Sequence, residues 1–194
     1  MKNSAKIFRL TYLAILTALT VVLCLLQTVI RWGMFEINLS LLVIVLAAIT
    51  CGPLAGAWIG LVSGFMTVIS PATMAFMGIH VIGTIITCLL KTAVAGLCCG
   101  LIYQLLKKLN KYLAVAIAAA ACPLVNSLVF ALGTLVFFWD TILEWAAAVN
   151  MSAGAFLVFG MIMVNFIAEI IYTTVLSPIV CKLIDSTKLN RYLK

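Results

Sequence analysis

The sequence predicts an all-α integral membrane protein with six transmembrane helices, and three observations support this class. First, 66% of the 194 residues are hydrophobic and only 9% are charged, which is outside the usual range of soluble domains. Second, the apolar residues form runs long enough to cross a bilayer, which takes about twenty residues of helix. Third, the basic residues cluster between these runs, as they do at the cytoplasmic ends of membrane helices. We expect a single domain over residues 1–194.

The apolar runs define six candidate spans, at 10–30, 37–51, 54–69, 76–106, 113–139 and 152–182. We interpret the first as a retained helix and not as a cleaved signal peptide, because its run exceeds twenty residues without a small-residue cleavage site. The second and third spans are short and meet at Gly52-Pro53, a helix-breaking pair. Together they can form one overlong helix or a tight hairpin.

The distribution of charge favours the hairpin. If residues 37–69 cross twice, the basic N-terminus, the lysine loop at 107–111 and the basic tail all lie on one side of the membrane. If they cross once, the lysine loop lies on the opposite side from the N-terminus. The sequence therefore predicts that both termini are cytoplasmic. The outer connections, each able to close over a ligand, are then 31–36, 70–79 and 140–151.

The tryptophans fit this topology. Trp32, Trp139 and Trp145 fall at outer helix ends and Trp58 near an inner one, as in the aromatic belts of membrane proteins. A stacking wall over a ligand is the alternative explanation for the three outer tryptophans.

Two ionisable residues lie at membrane depth, Lys91 in the fourth span and Glu169 in the sixth. Such groups cost several kcal/mol there and normally face the interior of a bundle. Lys91 shares a helix face with His80, Thr84 and Thr87, because these positions follow the spacing i, i+4, i+7 and i+11. The stripe runs inward from the outer end over about 16 Å.

The fifth and sixth spans carry further polar residues. Asn165 shares a helix face with Glu169, and Asn126 lies beside the helix-breaking Pro123. Two interpretations are open. Lys91 and Glu169 can form a buried structural ion pair, or the polar faces can enclose a water-accessible ligand cavity, and a pair that opens for a ligand combines both. Asn126 can equally brace the backbone beside Pro123.

The sequence lacks the motifs of common catalytic and nucleotide sites. It contains no GxxxxGK[ST] loop for ATP, no HExxH zinc motif and no GxSxG nucleophile elbow. One histidine and five acidic residues leave little for acid–base catalysis or for a metal. The net charge of +7 comes from clusters beside the spans, so we do not expect nucleic-acid binding. We predict that the protein is not an enzyme and holds no metal or cofactor.

Ala14 and Ala18 form a small-xxx-small step on the first helix. Small residues at this spacing let a second helix approach closely. The step is common in membrane helices, so packing within the bundle explains it as well as contact with a partner does.

Four segments, in their order along the chain, resemble the substrate-binding S components of energy-coupling factor (ECF) transporters. They are AILTALTVVLCLL, INLSLLVIVLAAITCGPLAGAWIGLVSG, KTAVAGLCCGLIYQLLKK and CPLVNSLVFALG. The likeness covers nearly the whole chain, and the GPLAGAWIGLVSG hairpin and the PLVNSLVFALG helix are its most specific parts.

This resemblance implies a six-helix bundle in a prokaryotic cell membrane that captures a water-soluble vitamin from the outer side. It implies docking through Ala14 and Ala18 onto a transmembrane T component, with two ATPase subunits supplying the energy. It also implies a pocket built mainly by the fourth to sixth helices and the outer loops. The candidate substrate-binding residues are then Lys91, His80, Thr84, Thr87, Asn126, Asn165 and Glu169.

The substrates of this family include riboflavin, thiamine, folate, biotin and pantothenate, and a fold does not select among them. A cation part-way down the fourth helix suits a carboxylate. Pantothenate is the first candidate, because it also has hydroxyl and amide groups for Asn126, Asn165 and Thr84, and a basic residue in this helix resembles the pantothenate branch. Folate would use more aromatic stacking, and riboflavin leaves Lys91 less well explained. Two further classes stay open, a stand-alone carrier or channel and an accessory membrane subunit without a ligand.

Overall fold

A computed structural model describes residues 2–29 and 37–185 of the chain. The sequence-based interpretations of Trp32, of the 31–36 connection and of the basic tail beyond residue 185 lie outside the described residues. The described part consists of helices joined by short connections. They are α1 (Lys2–Val29), α2 (Leu41–Cys51), α3 (Pro53–Val68), a 3₁₀ turn (Pro71–Thr73), α4 (Met74–Ile79), α5 (Val81–Leu106), α6 (Lys111–Phe137), α7 (Trp139–Ala148), α8 (Ala153–Ala155), a π-helical segment (Phe156–Ile162) and α9 (Met163–Asp185).

The helices confirm the predicted class of an all-α membrane protein. Within the described residues, four helical stretches are long and apolar enough to cross a bilayer, and they are Lys6–Val29, Val81–Leu106, Lys111–Phe137 and Ala153–Lys182. A fifth candidate is α3 taken with Pro71–Ile79, although the two parts are bent by 67°. The apolar helix α2 has 11 residues, or about 16 Å, which is shorter than the hydrocarbon core. Six crossings with cytoplasmic termini stay a prediction.

The turn between α2 and α3 lies at the same end of the bundle as the start of α1 and the end of α5. The Arg9 guanidinium donates a hydrogen bond to the Cys51 carbonyl at the end of α2. A side chain at Gly52, whose φ is +99°, would lie 3.8 Å from both Arg9 Nη2 and Gln104 Nε2. The hairpin topology requires this arrangement, because it places the N-terminus, this turn and the lysine loop on one side.

The helix predicted at 76–106 is divided in the structure. His80 has an extended backbone, with φ −148° and ψ 91°, and it separates α4 from α5. Its Nδ1 accepts a hydrogen bond of 2.9 Å from the backbone N–H of Gly83, so the side chain caps the start of α5. The apolar run continues through this point, and therefore hydrophobicity alone gave no sign of the break.

Close contact between α3 and α5 depends on glycines. Gly56, Gly60 and Gly64 repeat every four residues along α3 and lie on one face of that helix. A Cβ at Gly60 would overlap the backbone carbonyl of Thr92 in α5, and one at Gly56 would lie 2.6 Å from the Gly96 carbonyl oxygen. The missing side chains let the two backbones touch, as in small-xxx-small helix pairs.

We expect Gly60→Ala to destabilise the protein strongly, because the added Cβ meets rigid backbone and not a flexible side chain. Overpacking of this kind costs about 3 kcal/mol, or roughly 6–12 °C in Tm for a chain of this size. The matched control is Gly78→Ala in α4, where a Cβ meets nothing within 4 Å. Thermal unfolding in detergent measures both variants, and equal Tm values for the two would contradict the close-packing argument.

Candidate functional site

A cavity of about 390 Å³ lies among α5, α6 and the C-terminal helical segments. Its wall also includes Gln27 near the end of α1, Asn38 in the turn before α2 and Phe76 in α4. Six of the seven predicted substrate-binding residues line it. They are Lys91, Thr84, Thr87, Asn126, Asn165 and Glu169.

The seventh predicted residue, His80, does not line this cavity. It caps α5, and its ring lies 5.4 Å from that of Phe137 and 6.3 Å from that of Phe138. The predicted stripe required one continuous helix from His80 to Lys91, whereas α5 begins after His80. The stripe therefore holds for Thr84, Thr87 and Lys91 only, and we do not retain His80 among the proposed substrate-binding residues.

Lys91 is half-buried in the wall of the cavity. It lies ten residues after the start of α5, which places it about 15 Å along the helix. Its Nζ lies 5.2 Å from the centroid of the Phe130 ring, within the range of a cation–π contact. In the described part of the chain, Lys91 and Glu169 do not form a direct ion pair. Lys91 is therefore held by an aromatic face, which leaves its N–H donors available to an anionic group.

Glu169 is 3% exposed and has a partner other than Lys91. Its Oε1 accepts a hydrogen bond of 3.2 Å from the backbone N–H of Asn38, and the hydroxyl of Tyr172 donates to the Asn38 carbonyl. Glu169 and Tyr172 thus attach α9 to the turn that precedes α2. The Gln27 Oε1 accepts from the Leu39 N–H at 3.1 Å, which joins the end of α1 to the same turn.

Three buried oxygens in the cavity wall lack a hydrogen-bond partner within the described residues. They are Thr87 Oγ1, Asn126 Oδ1 and Asn165 Oδ1. Other buried threonines satisfy their hydroxyls by donating to a carbonyl one turn earlier, as Thr92 does to Cys88 at 3.1 Å and Thr134 does to Phe130 at 2.9 Å. Buried polar groups in proteins are nearly always paired, so a molecule bound in the cavity would find three acceptor oxygens in its wall.

Aromatic rings form the end of the cavity next to α4. The Phe76 ring lies 5.1 Å from that of Phe138, 6.3 Å from that of Phe130 and 5.6 Å from that of Trp145, all in edge-to-face geometry. Phe76, Phe130 and Phe138 line the cavity. Sequence reasoning missed these phenylalanines, although Phe130 follows Asn126 by four residues and therefore shares its helix face. The 70–79 connection, proposed as one of three closing segments, supplies Phe76.

The π-helical segment Phe156–Ile162 forms another part of the wall through Phe156, Gly160, Met161 and Ile162. Such wider turns are uncommon and often occur at functional sites. The change in helical period between this segment and α9 cannot be read from a sequence pattern that assumes 3.6 residues per turn.

Ala14 and Ala18 are both exposed on α1. Large apolar side chains surround them on the same helix, among them Leu10 at 70% exposure, Ile15 at 59% and Val22 at 58%. Within the described part of the chain, the small-xxx-small step is therefore not covered by another helix of the bundle.

The family model described as "ECF transporter, substrate-specific component" matches residues 8–180 of this chain. The matched range includes every residue predicted for the cavity and for docking. No curated protein and no solved structure matches the chain.

Proposed function

From its membership of the ECF transporter substrate-specific component family, we propose that this chain captures an acidic, water-soluble vitamin in the cavity around Lys91 and delivers it across the membrane. The chain is the substrate-specific subunit of such a transporter and is not itself an enzyme. Pantothenate is the first candidate substrate.

The observation that carries this proposal is the combination of one cation and three unpaired buried oxygens in a single cavity. An unpaired buried polar group costs about 1–3 kcal/mol, so a ligand that pairs with these oxygens would gain free energy from each contact. A ligand carboxylate would receive charge-assisted hydrogen bonds from Lys91. Ligand hydroxyl and amide N–H groups would donate to Asn126 and Asn165, and Thr87 would bind either kind of group.

The aromatic end of the cavity favours a second candidate, a vitamin with a flat ring. Phe76, Phe130 and Phe138 offer apolar and edge-to-face contacts to a ring system such as that of folate or riboflavin. Folate also has carboxylates for Lys91, whereas riboflavin has none. The order of preference is therefore pantothenate, folate and then riboflavin.

We further propose that α1 is the docking helix. Ala14 and Ala18 are exposed at a spacing that admits close helix contact, which suits a transmembrane T component. The chain has no nucleotide-binding motif of its own, so two ATPase subunits on the T component would supply the energy.

The proposed function is tested by asking which vitamin the purified protein binds. We expect native mass spectrometry to detect a co-purified vitamin, and one member of a vitamin panel to raise Tm in a concentration-dependent way. Binding of none of the vitamins would contradict the proposal and favour an accessory subunit without a ligand. Transport in proteoliposomes without partner subunits would favour a stand-alone carrier.

A matched pair of variants tests whether the unpaired oxygens bind that vitamin. Thr87→Val removes a hydroxyl that has no hydrogen-bond partner among the described residues, so we expect roughly two- to ten-fold weaker binding with an unchanged Tm of the ligand-free protein. Thr92→Val is the control, because the Thr92 hydroxyl donates to a carbonyl and does not line the cavity. Equal affinity in Thr87→Val and the wild type would remove Thr87 from the site.

A further inference from the structure

A second cavity, of about 370 Å³, lies between the start of α6 and the end of α9. Its wall consists of Tyr112 and Ala116 from α6 and of Ser177, Pro178, Cys181 and Lys182 from α9. It is separate from the cavity around Lys91 and shares no residue with it. The proposed function gives this second groove no role.

The groove lies at the ends of two candidate membrane spans, Lys111–Phe137 and Ala153–Lys182, and the end of a span is where lipid headgroups are expected. It occupies the first six residues of α6, within about 9 Å of the helix start. The headgroup layer on each side of the hydrocarbon core is roughly 5–8 Å thick. Exposed apolar side chains lie beside the groove on both helices. They include Leu113 at 57% exposure, Ile117 at 41%, Val175 at 67% and Ile179 at 54%.

Basic residues lie in the groove and at the same end of the bundle. Lys182 lines it, and the loop of Lys107, Lys108 and Lys111 lies at the same end of the bundle, because α6 begins there. Of the acidic side chains that the structure describes, Glu169 lies thirteen residues before Lys182, about 20 Å along the helix. Asp140 and Glu144 belong to α7, which follows the opposite end of α6. The lining of the groove thus includes a lysine and, among the described residues, no carboxylate.

The groove also offers polar groups at its base. Ser177 supplies a hydroxyl from a buried position, and Tyr112 supplies a phenol at the exposed rim. A headgroup with both a phosphate and hydroxyls can use the lysine, the phenol and the serine together.

We propose that this groove binds one anionic phospholipid, with its phosphate at Lys182 and its acyl chains along the apolar faces of α6 and α9. Basic pockets between membrane helices are known to select anionic headgroups. Phosphatidylglycerol fits this description by charge and by its headgroup hydroxyls. The inference does not depend on the vitamin proposal, since it concerns a different cavity.

Native mass spectrometry of the full chain in detergent, titrated with dioleoyl phosphatidylglycerol or dioleoyl phosphatidylcholine, tests the proposal. The two lipids share acyl chains and differ in headgroup charge, and we expect the first to bind more tightly. Lys182→Gln should reduce this preference roughly five-fold. Lys107→Gln is the matched control, because this exposed lysine belongs to the same basic end and does not line the groove.

A steric variant makes the test independent of charge. Ala116→Phe places a ring in the groove without changing any charge, so we expect it to weaken phosphatidylglycerol binding while circular dichroism stays that of the wild type. Equal losses in Lys182→Gln and Lys107→Gln would show diffuse attraction to the basic end and overturn the proposal. A second result would also overturn the proposal: sodium phosphate raises Tm only when Lys182 is present, and the two lipids bind equally well. That result would assign the groove to free phosphate.

Discussion

Lys91→Met is expected to weaken binding of an acidic vitamin by about 2–4 kcal/mol, or roughly 30- to 1,000-fold in Kd. Methionine keeps the length and apolar stem of the side chain but removes the charge. The ammonium of Lys91 rests over the Phe130 ring at 5.2 Å and is not neutralised by a direct ion pair with Glu169 in the described structure. A ligand carboxylate would therefore pair with it directly, and the Lys91→Met variant would have to hold that carboxylate without this partner.

Isothermal titration calorimetry with pantothenate measures the loss. The matched ligand is pantothenol, which has an alcohol in place of the carboxylate, so Lys91→Met should change its affinity little. The two proteins and two ligands form a double-mutant cycle that isolates the contact between Lys91 and the carboxylate. An unchanged Kd for every acidic vitamin, together with a lower Tm, would instead assign Lys91 to folding.

The cavity wall on α5 was predictable because it depends on local geometry. Thr84, Thr87 and Lys91 lie within one uninterrupted helix, where a spacing of three or four residues fixes a common face. Asn126, Asn165 and Glu169 were chosen because polar residues at membrane depth face the interior, and they meet at the same cavity. The predicted stripe does not extend to His80, since the helix predicted from residue 76 is interrupted there and α5 begins at Val81 with His80 as its cap.

Other parts of the site depend on contacts that leave no local pattern. Glu169 accepts from a backbone N–H that lies 131 residues earlier in the chain, and a backbone donor has no sequence signature. The sequence allowed Glu169 to pair with Lys91 because opposite charges attract. In the structure, the Glu169 carboxylate instead accepts a hydrogen bond from the backbone of the turn before α2. Phe76 joins the wall because α3 and the segment after it are bent by 67°, and the size of such a bend is set by tertiary packing.

The glycines of α3 give a physical reason for one part of the likeness to S components. The GPLAGAWIGLVSG segment is one of the two most specific parts of the likeness to S components, and the residues alone do not show its role in the fold. Gly56, Gly60 and Gly64 let α3 lie against α5 with backbone in contact. That contact holds α5, the helix that carries Lys91, in its position, so the segment supports the wall of the candidate site.

Ala18→Trp is expected to abolish vitamin uptake while leaving vitamin binding intact. Ala18 is exposed on α1, and a close helix pair at the Ala14–Ala18 step leaves no room for an indole. The substitution enlarges a side chain on the exposed surface of the bundle and not in its interior, so the Lys91 cavity should keep its shape. Ala14→Trp, one turn earlier on the same face, should have the same effect.

Uptake is measured in proteoliposomes that contain the chain with a T component and two ATPase subunits, and binding is measured by calorimetry on the chain alone. Leu19→Trp is the control, because Leu19 is also exposed on α1, at 42%, but points about 100° away from Ala18 around the helix. It places the same indole at about the same depth and should preserve uptake. Loss of binding in Ala18→Trp would contradict docking through this face, because it would indicate a distorted cavity. Equal loss of uptake in Leu19→Trp would also contradict it, because it would indicate a general intolerance of bulk on α1.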